Sequence, residues 1–166
     1  MIRTSLLIAA VCFAAEAALA QTAPSSQPAS QPPAMPEYHP SFGDLMTFAV
    51  QPRHIKLGIA GHARNWTYAA FEAKELRNAF ARIGRTIPVY QNASLPDLFT
   101  ASTGAQMEQM EAAIKAEDGK AFDAAYTQLT ATCNTCHASL NHGFIVIQEP
   151  KSSPYTDQDL TGKPKP

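Results

Sequence analysis

The residues best equipped for chemistry are Cys133-Asn134-Thr135-Cys136-His137. Two thiols three positions apart, followed at once by an imidazole, form C-x-x-C-H, the spacing that attaches a c-type haem. The spacing has a physical reason. Each thiol adds its sulfur and its hydrogen across one vinyl group of the porphyrin, so nothing leaves, and a two-residue spacer lets both thiols reach the ring from one helical turn. The adjacent imidazole then lies under the iron and supplies an axial nitrogen. The expected cofactor is one covalently attached haem c, held by Cys133 and Cys136 and ligated on the proximal side by His137.

Other chemistries fit the motif less well. A zinc site needs a fourth ligand in a tetrahedral arrangement; His142 could supply one, but the consecutive Cys136 and His137 do not easily bind one ion together. A thioredoxin-like pair follows a strand in a βαβ unit, whereas this motif lies late in a helical pattern. A structural disulfide between Cys133 and Cys136 would close almost no loop and gain little.

The open question is the sixth ligand of the iron. Met46 and His54 lie on one helical stripe, two turns apart, so they cannot both ligate one iron in one state. His54 is the leading distal candidate, because imidazole is the commonest metal-binding side chain. Met46 is the alternative. An open distal face lined by apolar residues is a third arrangement; His39, His62, His142 and the methionines near position 110 are weaker contenders.

Four helical patterns must position these groups. The first runs over residues 42–63, with Leu45, Phe48, Pro52, Ile55 and Ile59 on one stripe and Met46, Val50, His54, Leu57 and Gly61 on the next. Pro52 removes a backbone hydrogen bond, so a kink or a fresh start is expected there. The second opens on Asn65 as N-cap and carries Trp66, Ala70, Ala73, Leu76, Phe80, Ile83 and Ile87 until Pro88. The third starts near Pro96-Asp97 and buries Phe99, Thr103, Met107, Met110 and Ile114. The fourth follows the Asp118-Gly119 turn, with Phe122, Ala125, Leu129, Cys133, Cys136 and Leu140 on one face, and stops at residues 141–143. Residues 144–147 are a short apolar run, one strand at most or a docking tail. The expected fold is all-α: an antiparallel four-helix bundle with the haem attached near the C-terminal end of the last helix. Such a bundle sets the first helix beside the last and brings its N-terminal half, with Met46 and His54, to the haem.

The flanks read differently. Residues 1–20 have one early Arg, an apolar run and an Ala18-Leu19-Ala20 ending, the pattern of a secretory signal peptide. The apolar run is too short to span a bilayer, so no stable membrane insertion is expected after cleavage, and the site is periplasmic or otherwise exported. Removal also discards Cys12. Residues 21–40 are rich in Gln, Ser and Pro and read as a disordered linker; residues 41–149 form the haem-binding domain; residues 150–166 read as a disordered tail. Of the 13 prolines, those at 52, 88 and 96 alone fall between the Pro-rich ends. The net charge of −1 gives no field that would draw nucleic acid. Charge is nonetheless uneven. Residues 53–85 hold seven Lys or Arg against two acids, and residues 97–123 hold six acids against two Lys. Mutual complementation of the helices is the favoured reading over a docking face.

A signal peptide, four helices and one C-x-x-C-H late in the last helix resemble the cytochrome c-prime family and its low-spin relatives, over roughly residues 41–142. The resemblance implies thioether links at Cys133 and Cys136 and a proximal His137. Low-spin relatives take a Met from the first helix as sixth ligand, while high-spin members leave the site open and bind small gases such as NO and CO. Members of the latter kind carry a basic residue four positions after the haem His; here that position is Asn141. The function expected is that of an exported one-electron carrier serving a redox partner protein, with a five-coordinate gas-binding protein as the alternative. A catalyst such as a peroxidase is the least favoured, its distal acid–base pair resting on Arg53 and His54. A homodimer is compatible with the pattern.

Overall fold

A computed structural model describes residues 37–162. The signal peptide and most of the linker expected from the sequence lie outside these residues. The domain is all-α apart from one small hairpin. Its elements are α1 (Phe42–Leu45), a π-helical turn (Met46–Val50), α2 (Gln51–His62), α3 (Trp66–Thr86), the hairpin strands β1 (Val89–Tyr90) and β2 (Ala93–Ser94), α4 (Leu95–Lys115) and α5 (Gly119–Ser139). Among these residues no helix is long and apolar enough to cross a membrane.

Local signals set the helix starts. Ser41 and Asp44 form a reciprocal capping box at α1, with bonds of 3.1 and 3.0 Å. The Asn65, Ser94 and Asp118 side chains cap α3, α4 and α5. Residues with positive φ, Arg64, Glu117 and Asn141, end α2, α4 and α5. The hairpin, which the sequence pattern did not disclose, turns on Gln91 and Asn92, both at positive φ.

At Pro52 the helix neither breaks nor restarts. The Gln51 N–H reaches back five residues to the Met46 carbonyl, and α1, the π turn and α2 run on as one rod. An extra residue in the turn eases the clash between the proline ring and the carbonyl four residues earlier. It also settles which stripe is buried. Val50, His54, Leu57 and Gly61 face the core, whereas Phe48, expected on the other stripe, is 71% exposed.

The rod from α1 to α2 packs on α3, α3 on α4, α4 on α5, and α5 back on α2. Leu57, Leu76, Ile83, Met107, Phe122 and Leu129 are among the fully buried side chains where they meet. On α3 the buried alanines are Ala69, Ala73 and Ala79, while Ala70, expected in the stripe, is exposed. The basic and acidic helices are joined by Arg64–Asp123 at 2.7 Å and Arg77–Glu111 at 2.8 Å, as complementation requires.

One expectation is corrected outright. Residues 150–162 have no regular structure, yet they are not a loose tail. Leu160 is buried, and its carbonyl accepts from Asn65 Nδ2 at 3.2 Å. Tyr68 donates its hydroxyl to Gln158 at 3.2 Å, and Lys56 Nζ lies 4.6 Å from the centre of the Tyr155 ring. A single apolar side chain with a socket holds a segment whose composition is otherwise that of a linker.

Candidate functional site

α5 presents Cys133, Cys136 and His137 to a cavity of about 370 Å³, within the size range of small-molecule and cofactor sites. Phe42, Met46 and Val50 come from the first rod, Phe80 from α3, Phe99 from α4, and Leu140 from the end of α5. The wall is largely apolar and aromatic, as a porphyrin face requires. Both cysteines are free thiols. Burial pushes the Cys133 thiol up to about 11 and raises that of Cys136 as well. A redox-active pair needs the opposite shift, toward thiolate.

His137 is oriented from behind. Its Nδ1 donates to the Ile145 carbonyl at 2.9 Å, which leaves Nε2 as the nitrogen with the lone pair. A metal-binding imidazole is held and tuned by such a bond through its other nitrogen. The segment that carries Ile145 is pinned two residues further on by the motif itself. Asn134 Nδ2 donates to the Ile147 carbonyl at 2.9 Å, and the Ile147 N–H donates to Asn134 Oδ1 at 2.7 Å. The apolar run 144–147 therefore docks on the motif as an irregular segment rather than a strand. Its apolar composition does not translate into burial, because Phe144, Ile145 and Val146 are exposed; the backbone bonds through Asn134 hold it, and these are not readable from spacing.

His54 also lines the cavity but is committed elsewhere. The Tyr126 hydroxyl donates to the His54 carbonyl at 2.8 Å, so its oxygen accepts from His54 Nδ1 at 3.1 Å. Nε2 then accepts from the Thr130 hydroxyl at 2.9 Å. Burial lowers its pKa to about 4, so the ring is neutral at pH 7. Arg53 does not join it in a catalytic pair: its guanidinium turns to the buried Glu72, 3.2 Å away. His62 lies away from this cavity, bound to Asp123 at 3.0 Å, whereas His142 lines it. Met107 and Met110 are buried in the core and do not line the cavity. Among the described residues no three His, Cys, Asp or Glu side chains converge as a metal cage.

The chain matches no protein-family model, no curated protein and no solved structure.

Proposed function

We propose that this chain is an exported monohaem c-type cytochrome, an antiparallel four-helix bundle that carries one electron at a time to and from a redox partner protein. One observation carries the reading. Cys133, Cys136 and His137 share the wall of a largely apolar cavity, and His137 is tied through Nδ1 with Nε2 left for a metal. When bound, the haem supplies an iron that alternates between ferrous and ferric. The two thiols would hold its vinyl edge, the hydrogen bond to Ile145 would keep the His137 ring upright, and the aromatic walls would exclude water and so help set the potential.

The register between α2 and α5 favours Met46 over His54 as the sixth ligand. The two helices run in opposite senses. Gly61 packs on Phe122, Gly58 on Tyr126, and His54 reaches Tyr126 and Thr130. Carried on eight residues, or about 12 Å, the same register brings Met46 level with Cys136 and His137. His54, by contrast, sits level with Thr130, two turns of α5 away from His137, with both ring nitrogens in use.

Optical spectra of protein matured with covalent haem test this. The wild type is expected to be low-spin and indifferent to carbon monoxide. Met46→Ala is expected to become high-spin and to bind carbon monoxide, while His54→Ala keeps a low-spin spectrum. Ferrous wild type that binds carbon monoxide at once would instead support the gas-binding alternative, and absence of covalent haem would remove the reading altogether.

A further inference from the structure

A second feature of the cavity wall points to how the other edge of the cofactor is recognised. Tyr90, from β1, and His142, just past α5, both line the cavity, and Tyr90 Oη lies 3.0 Å from His142 Nε2. Among the described residues, His142 Nδ1 is the buried side-chain nitrogen or oxygen left without a hydrogen-bond partner.

Counting protons shows what is missing. If the Tyr90 hydroxyl donates to Nε2, the ring carries its proton on Nδ1, and that N–H has no acceptor. If Nε2–H donates to the Tyr90 oxygen, the Tyr90 O–H has no acceptor in this pair. In that second case the buried Nδ1 is a lone pair without a donor, so the first arrangement is the one that offers a buried donor to a ligand oxygen. Gln91 Nε2 also donates to the Tyr90 oxygen, at 3.4 Å, which leaves the Tyr90 O–H free to point at His142 Nε2. A buried donor without an acceptor is costly, on the order of 1–3 kcal/mol, so an acceptor brought by a ligand would be favoured here.

Three neighbouring polar side chains in the wall are already committed. Ser102 and Thr103 donate to their own helix at the Leu98 and Phe99 carbonyls, 2.6 and 2.8 Å away, and both His54 nitrogens are bonded. The pair is also braced. Phe42 stacks at a tilt on Tyr90 with centroids 4.6 Å apart, and Phe144 meets the His142 ring edge-on at 5.9 Å. The left-handed Asn141 and the bond from the His142 N–H to the His137 carbonyl, 2.7 Å, turn His142 back toward the cavity. A charged-oxygen acceptor gives the strongest bond such a fixed donor can make.

We infer that Tyr90 and His142 form the seat of a haem propionate, an assignment that rests on the haem reading above. With the vinyl edge fixed at Cys133 and Cys136, the carboxylate edge is what remains for other walls to hold. The seat would favour a tetrapyrrole bearing a carboxylate on the edge away from the two thiols.

Resonance Raman spectroscopy of the matured holoprotein tests the assignment, because the propionate bending band reports hydrogen bonds to that carboxylate. His142→Phe is expected to move one propionate band to lower frequency, and Tyr90→Phe to move the same band in the same direction. His142→Gln, which keeps an N–H donor, is expected to restore much of the wild-type position. Bands unchanged in both Phe variants, with haem attached and the iron–histidine band intact, would overturn the seat while leaving the cytochrome reading standing. A wild type without covalent haem would overturn both.

Discussion

His54 is a histidine in which every polar atom has a use. Thr130 donates to Nε2, Nδ1 donates to Tyr126, and Tyr126 donates back to the His54 carbonyl. The Thr130 hydroxyl can turn to accept from a protonated ring, so what keeps the ring neutral is its burial rather than the bonds themselves. Burial pushes its pKa down to about 4, against a smaller opposing pull from Glu149. The sign of the linkage follows. In the unfolded chain the ring takes up its proton near pH 6.5, whereas in the fold it stays neutral until about pH 4. Between those values the unfolded state binds more protons, so stability rises with pH through the window and is lost as pH falls from 6.5 toward 4. The full swing is on the order of 3 kcal/mol. Thermal unfolding measured from pH 7 to pH 4 should show this loss in the wild type and a markedly shallower one in His54→Gln. Equal slopes in the two proteins would mean that burial does not hold the ring neutral. The same network explains why a sequence reading places His54 ahead of Met46. The residue type argues for a ligand, but the partners that occupy it lie 72 and 76 positions away, where no local spacing can reveal them. The Cys and His of the motif stand out in the sequence because the chemistry proposed for them depends on neighbours within five residues; the Ile145 carbonyl behind His137 does not, because it depends on how the chain returns.

Helices show the same division between local and distant causes. Their starts are legible at Asn65 and Pro96 because caps and N-terminal prolines act within one turn. The buried face of the first rod is harder to read, since the π turn before Pro52 adds a residue and leaves Phe48 outside. Glycines on α2 record a further constraint of packing. Phe122 and Tyr126 of α5 lie so close that a Cβ on Gly61 would overlap the Phe122 ring and one on Gly58 the Tyr126 ring. Phe122 cannot swing clear, because it is fully buried and sits against Trp66 and Tyr126, with ring centroids 6.0 and 5.9 Å away. Gly61→Ala should therefore destabilise the domain by about 1–3 kcal/mol despite its better helix propensity. Gly104, on α4, has nothing within 4 Å of a built Cβ, and Gly104→Ala should stabilise by about 0.5–1 kcal/mol. Urea unfolding of the two variants reads both signs; a neutral or stabilising Gly61→Ala would show that the helices part without cost. By widening or narrowing the gap between α2 and α5, these small residues also set the register on which the choice of Met46 rests.

Across the whole molecule, the strap from Pro150 onward does what a helix would do elsewhere: it covers the end of the α2–α3 seam. Sequence composition cannot disclose this, because the segment is polar, interrupted by Pro150 and Pro154, and carries one large aliphatic residue. That residue, Leu160, is only 2% exposed, and its carbonyl occupies the Asn65 side chain that also caps α3. Above the strap's path, Tyr155 covers Lys56, and further in, Arg53 pairs with a Glu72 whose carboxyl is raised mainly by burial. Energy should therefore be concentrated at Leu160 rather than spread along the strap. Truncation of a buried Leu to Ala costs about 2–5 kcal/mol where the site cannot collapse; an irregular strap can follow the lost side chain inward, so Leu160→Ala should fall near the lower end, about 2 kcal/mol. Tyr155→Ala removes a partly exposed cation–π contact and should cost less than about 1 kcal/mol. Neither residue lines the cavity around Cys133 and His137, so haem attachment and the spin state should be unchanged in both variants while the urea midpoint falls in Leu160→Ala. An unchanged midpoint there would mean that the strap rests on the domain without stabilising it. A changed spin state would mean that the α2–α3 seam and the cavity around Cys133 and His137 are mechanically coupled through the first rod.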